Sequence, residues 1–175
     1  GGNAYVNSGG AGDSFTAGKR WFDGTDDYVS VANAAELVFD TDDFQIHLWL
    51  AISSGVANPG GIMYKGDSTD GGWRIYLTAD KIAFDGDSVI GTALWLWTHP
   101  ATYADDALHL LSILRNGSDA SMLIDGVEVD TDATANSDFD DASALLIGKD
   151  AATFYTGDIY QLLIGKTTKT IAQGT

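Results

Sequence analysis

The sequence has no cysteine, and among its 175 residues it has only two prolines and two glutamates, Glu36 and Glu128. Without cysteine, no disulfide contributes to the fold and the redox compartment leaves no mark. Basic residues are scarce as well: nine Lys and Arg face 25 acids, a formal net charge of −16. Such an excess repels a phosphate backbone, and no dense basic patch offsets it, which argues against a nucleic-acid partner. Anionic membrane surfaces are disfavoured for the same reason. No apolar run approaches the roughly 20 residues of a helical membrane span, so membrane insertion is not expected. No signal peptide is visible, and the chain starts at Gly1-Gly2 without Met, as a piece of a longer protein would.

The acids that are present are nearly all aspartate, 23 of the 25, and glycine is abundant at 21. Glutamate favours helices, whereas aspartate and glycine favour turns. The composition therefore points to many short strands joined by turns. Hydrophobic periodicity agrees. In "FQIHLWLAI" (44–52), Phe44, Ile46, Leu48, Leu50 and Ile52 share one face, a period of two. Similar runs occupy 28–31, 61–65, 73–78, 81–84, 92–97, 121–124, 127–130, 144–148 and 158–165. "LHLLSILRN" (108–116) is apolar on both faces, which predicts a strand covered on both sides. Asn116-Gly117 and Asp125-Gly126 fall between strand-like runs and predict two hairpins, since both turn positions favour positive φ. Only "NAAELVF" (33–39) suggests a helical turn. About eleven strands and no helix predict an all-β, two-sheet antiparallel jelly-roll sandwich, with Phe44, Ile46, Leu48 and Leu50 in its core. Residues 1–20 read as a Gly- and Ser-rich lead-in, and 21–175 as one domain.

The order of several short motifs resembles the laminin-G-like, concanavalin A-like lectin and glucanase jelly rolls. These motifs are Phe22-Asp23-Gly24 with Asp27-Tyr28-Val29, the Trp-bearing "FQIHLW", Gly72-Trp73 to Leu77, "ALHLLSILRNG", "LIDG", "LLIG" (145–148) and "GDI" (157–159). Together they span about residues 20–165. Two positions depart from the pattern. Leu108 stands where the family usually has Trp, and the acid near the last strand is Asp158, with Tyr160 and Gln161 beyond it. The resemblance implies a jelly roll with a calcium site on its rim, where an early loop meets the last strand. Asp23, Asp26 and Asp158 are the candidate ligands on this chain, since calcium takes six to eight oxygens. The same aspartates are first explained as turn formers, each bonding its own backbone, and second as an ion loop.

Glucanases of this fold use an E-x-D-x-E strand. Here "EVDTD" (128–132) ends in Asp132, whose shorter side chain withdraws the second carboxyl from the roughly 5–5.5 Å pairing that retaining hydrolysis needs. No phosphate loop or nucleophile elbow is present, and His47, His99 and His109 show no metal spacing, so the chain is not read as an enzyme. His109, inside an apolar run, is expected to be a hydrogen-bonded core residue. For glycans, which stack on aromatic rings beside planar polar groups, the candidates are Trp95 and Trp97, two apart on one strand face, with Tyr103, Asp105 and Asp106. Tyr64, Trp73 and Tyr76 are alternatives, while Trp21, Trp49 and Trp73 are expected in the core. The sequence thus supports a recognition module for a glycan or another cell-surface ligand, attached to other domains of a larger extracellular or virion-surface protein. A ligand-free decoration or spacer domain is the second reading, and a glucanase-like hydrolase the third.

Overall fold

A computed structural model describes residues 5–7, 15–16, 18–55, 60–67, 71–87, 95–132, 139 and 141–166. Fourteen strands appear in chain order: β1 (Tyr5–Asn7), β2 (Phe15–Thr16), β3 (Lys19–Asp23), β4 (Val29–Val31), β5 (Phe44–Ile52), β6 (Gly61–Asp67), β7 (Gly71–Thr78), β8 (Lys81–Asp87), β9 (Trp95–Thr98), β10 (Leu108–Asn116), β11 (Asp119–Ile124), β12 (Val127–Asp132), β13 (Leu145–Ile147) and β14 (Thr156–Lys166). A single 3₁₀ turn, Ala35–Leu37, sits where the sequence suggested one. The strands form two seven-stranded sheets. Sheet I runs β1-β4-β13-β6-β7-β8-β9 and sheet II runs β12-β11-β10-β5-β14-β3-β2. The expected two-sheet antiparallel jelly roll is what forms. Strands β1 and β2, within the first twenty residues, are each paired into a sheet.

Strand β5 explains why the sheets close on each other. It pairs with β10 on one side and β14 on the other. Phe44, Ile46, Leu48 and Leu50 are at most 1% exposed, and Ile52 is buried with them. Across the core stand Trp73, Ile75 and Leu77 of β7 and Ile82 and Phe84 of β8. Phe39 stacks on Phe44 with ring centres 4.2 Å apart and nearly parallel planes. Burial of this apolar area is the dominant favourable term.

Strand β10 corrects the expectation of cover on both sides. Leu111 and Ile113 face the core, but on its other face Leu108 is 49% exposed and Leu110 and Leu114 are half-buried. Among the described residues, only neighbouring side chains of sheet II shield that face. Trp49 is likewise corrected: it lies on the outward face of β5 and is 37% exposed, while Trp73 is fully buried as expected and Trp21 half-buried.

The end of the sandwich where β5 begins is sealed by two buried cations. The Arg115 guanidinium donates to the carbonyls of Phe39, Asp40 and Asp42 and lies over the Phe44 and Phe139 rings. The Lys65 ammonium donates to Asn33 Oδ1 and to the carbonyls of Asp141 and Ser143, at 2.7–3.0 Å. A buried ammonium has three protons to satisfy, and three oxygens meet them here.

Candidate functional site

At the opposite end, where β5 stops at Ile52, several loops converge. Strand β3 ends at Asp23, and Gly24 follows with φ of +80°. A Cβ on Gly24 would lie 2.0 Å from Thr156 Oγ1, so only glycine lets this loop press against the start of β14. The turn closes on its own acids: Asp23 Oδ1 accepts the Thr25 N–H at 2.7 Å, and Asp27 Oδ2 accepts the Asp23 N–H at 3.3 Å. Asp150 organises the loop before β14. Its Oδ1 accepts the N–H groups of Ala152 and Thr153 and the Thr153 hydroxyl. Tyr155 anchors that loop in the core, its hydroxyl donating to the Ala51 carbonyl at 2.8 Å. The β7–β8 hairpin turns through Ala79 and Asp80, both at positive φ. Loop 99–107 is tied down by the Tyr103 N–H to Asp80 O, the Asp106 N–H to Ile52 O, and Asp106 carboxylate bonds to Ser54.

These segments enclose a cleft of about 220 Å³. Ile52, Leu77 and Phe154 supply apolar walls, and Ser53, Asp80, Thr153 and Thr156 supply polar ones. The Phe154 ring faces Tyr28 at 6.5 Å, with the Lys149 ammonium 4.9 Å from the Tyr28 ring and 4.8 Å from the Phe154 ring.

Beside the cleft, Asp23, Asp26 and Asp27 bring one carboxylate oxygen each to within 4.8 Å of one another. These hard oxygens suit calcium in kind, with further oxygens needed to complete its shell. Asp158 does not join them. It faces outward opposite Trp21 and is held by Lys19 at 2.5 Å. The acid that stands with Asp23 and Asp26 is instead Asp27, buried and inside the same "DGTDD" turn.

The indole platform is corrected for Trp97. That ring is 4% exposed and packs on Phe84 at 5.6 Å, because its partner strand β8 turns Phe84 to the core. The Trp95 backbone pairs with Gly86, and its side chain lies outside the described residues. Of the alternatives, Tyr64 and Tyr76 stand on the outward face of sheet I. There Arg74 lies over the Tyr76 ring at 4.4 Å and donates from Nε and Nη2 to Asp85.

Tyr103, Asp105 and Asp106 belong to the cleft's flank rather than to a tryptophan patch, and His109 joins them. It is not a core residue but a half-buried rim residue between two carboxylates. Nδ1 lies 2.8 Å from Asp125 Oδ2 and Nε2 lies 3.2 Å from Asp105 Oδ1. Its ring meets Tyr103 edge-on at 4.9 Å, and Tyr103 bonds His99 at 3.1 Å. Carboxylates only accept, so both ring nitrogens donate and the imidazolium fits the site. Burial opposes its charge, but the bonds and charges of Asp125 and Asp105 outweigh burial and raise its pKa. Of the hydrolase-like run, Glu128 is exposed on β12, and the side chains of Asp130 and Asp132 lie outside the described residues.

Residues 23–172 match the family model described as the concanavalin A-like lectin/glucanases superfamily. No curated protein matches the sequence. Among solved structures, the chain resembles one of botulinum neurotoxin type C, whose access to cells depends on interaction with two ganglioside molecules. That match has a TM-score of 0.71 and 12% identity over 93% of this chain and 43% of the toxin chain. It also resembles the binding domain of botulinum neurotoxin DC in complex with rat synaptotagmin II, at TM-score 0.69 and 14% identity, over 93% and 43% of the two chains. A third is the binding domain of Paraclostridial Mosquitocidal Protein 1, at TM-score 0.60 and 14% identity, over 78% and 38%. The chain spans about two fifths of the length of these structures. At such identities the likeness is one of fold.

The His109 clamp carries a pH signature. A histidine with a raised folded pKa lends stability that is complete below its unfolded value of about 6.5 and fades as pH climbs through the folded one. His47, lowered by burial, opposes it by costing stability as pH falls. Asp105 and Asp125, both lowered, add stability that is lost only in acid. Thermal melts of wild type and His109→Gln separate these. The difference should be largest near pH 5.5 and shrink as pH rises through the raised folded pKa; a difference independent of pH contradicts the clamp.

Proposed function

The chain belongs to the concanavalin A-like lectin/glucanase superfamily, and from that premise we propose that it is a non-catalytic recognition module that takes a glycan or another cell-surface ligand in the loop-end cleft. The observation that carries this reading is the cleft itself. It joins the apolar residues Ile52, Leu77 and Phe154 to hydroxyls and a carboxylate, the combination that takes a sugar's C–H face while accepting its hydroxyl protons. The solved neighbours are binding domains, which supports recognition over catalysis. The chain's two glutamates also lie apart in the fold, one in the 3₁₀ turn and one on β12, so they form no glutamate pair on one strand. We place the module in a larger extracellular or virion-surface protein, where its acidic surface keeps it soluble.

Calcium is proposed as an accessory at Asp23, Asp26 and Asp27, where it would fix the loop that forms one wall of the cleft. A ligand that binds only the folded state raises its melting temperature by mass action. Millimolar calcium should therefore raise the melting temperature and chelator reverse it, with Asp26→Ala unresponsive. A wild-type midpoint indifferent to calcium removes the ion from the account.

The cleft is tested by filling it. Ala152 lines the cleft and is itself exposed, so Ala152→Trp adds bulk there without disturbing the core. On a glycan array, wild type should give hits that Ala152→Trp loses, at an unchanged melting temperature. Hits that survive the substitution place the ligand elsewhere.

A further inference from the structure

Resting on that reading of the cleft, we infer that its ligands are glycans without acidic groups, and that sialylated or sulfated glycans are turned away. Several donors around the cleft are spent within the protein. The Ser53 N–H donates to Thr156 O at 3.2 Å and the Leu77 N–H to Gly60 O at 2.9 Å. Both N–H groups at Ala152 and Thr153, and the Thr153 hydroxyl, go to Asp150 Oδ1. What remains is acceptor-rich. The Asp80 carboxylate accepts nothing from the described residues, and Asp23, Asp26 and Asp27 stand just beyond Gly24.

No lysine or arginine lines the cleft among the described residues. The sequence over 53–60, "SSGVANPG", carries no cation. Of the nearby cations, Lys149 is taken up between the rings of Tyr28 and Phe154, Lys81 stands opposite Thr78 on the face of β8 away from the core residue Ile82, and His109 is bound by two carboxylates. A carboxylate or sulfate only accepts hydrogen bonds, so it would be desolvated here against like charge, with only the Ser53 and Thr156 hydroxyls among the lining side chains to replace water. A hydroxyl brings its own proton to Asp80. A divalent ion at the three acids does not reverse this, because three carboxylates outweigh its charge. The cleft therefore discriminates by what it lacks, a repulsive specificity.

The test is an array of galactose-, glucose- and N-acetylglucosamine-terminated oligosaccharides printed beside their sialylated and sulfated counterparts. It is probed once with calcium and once with chelator. Hits should fall on the uncharged members, each exceeding its acidic counterpart by about tenfold or more, equivalent to about 1.4 kcal/mol. Asp80→Asn, which keeps a residue tolerant of positive φ, should narrow that ratio several-fold by removing the charge and adding a donor. An acidic member bound as well as its uncharged counterpart, in either condition, overturns the inference while leaving the recognition reading intact. An array with no hit overturns both.

Discussion

The sandwich depends on one strand face. Five alternating side chains of β5, from Phe44 to Ile52, run the length of the core with β10 and β14 hydrogen-bonded on either side. Because side chains alternate with a period of two, the register of both neighbours follows. Leu48 sits opposite Leu111 on one side and Leu162 on the other, and all three turn to the facing sheet. A one-residue slip would exchange this stripe for Gln45, His47 and Trp49, which no core could accept.

The two ends of that stripe meet different fates. At Phe44, Arg115 and Lys65 gather five backbone carbonyls and close the sandwich. At Ile52 the loops are held by short acid-to-backbone bonds from Asp23, Asp106 and Asp150, which leave space between them. Aspartate serves this end well because its short side chain reaches the backbone of its own turn. The same choice leaves the cleft rich in acceptors. The chain's surplus of aspartate is therefore structural first, and on the proposed reading it sets ligand chemistry as a consequence.

Much of this was legible in the sequence. Strands β5 and β10 were readable to the residue, and Asp125-Gly126 gave its hairpin, because the signals are local. What escaped depends on partners distant in sequence. Strand β3 opens with Lys19 and Arg20, and it forms a strand because it pairs with the distant β14, from Asp23 opposite Thr156 to Arg20 opposite Ile159. Alternation placed Trp95 and Trp97 on one strand face, but only pairing with Phe84 shows that Trp97 faces inward. His109 looked apolar by company, whereas its partners, Asp105 and Asp125, lie on a loop and a hairpin outside its strand. The cleft joins segments from Gly24 to Thr156, so no single stretch announces it.

Recognition is proposed at the open end of the sandwich and not on either outward sheet face. Amide chemical-shift mapping with the strongest array ligand tests it most directly. The account expects the largest shifts at Ser53, Asp80, Thr153, Phe154 and Thr156. Shifts centred on Trp49 of sheet II or Tyr76 of sheet I, with the cleft unmoved, would contradict it.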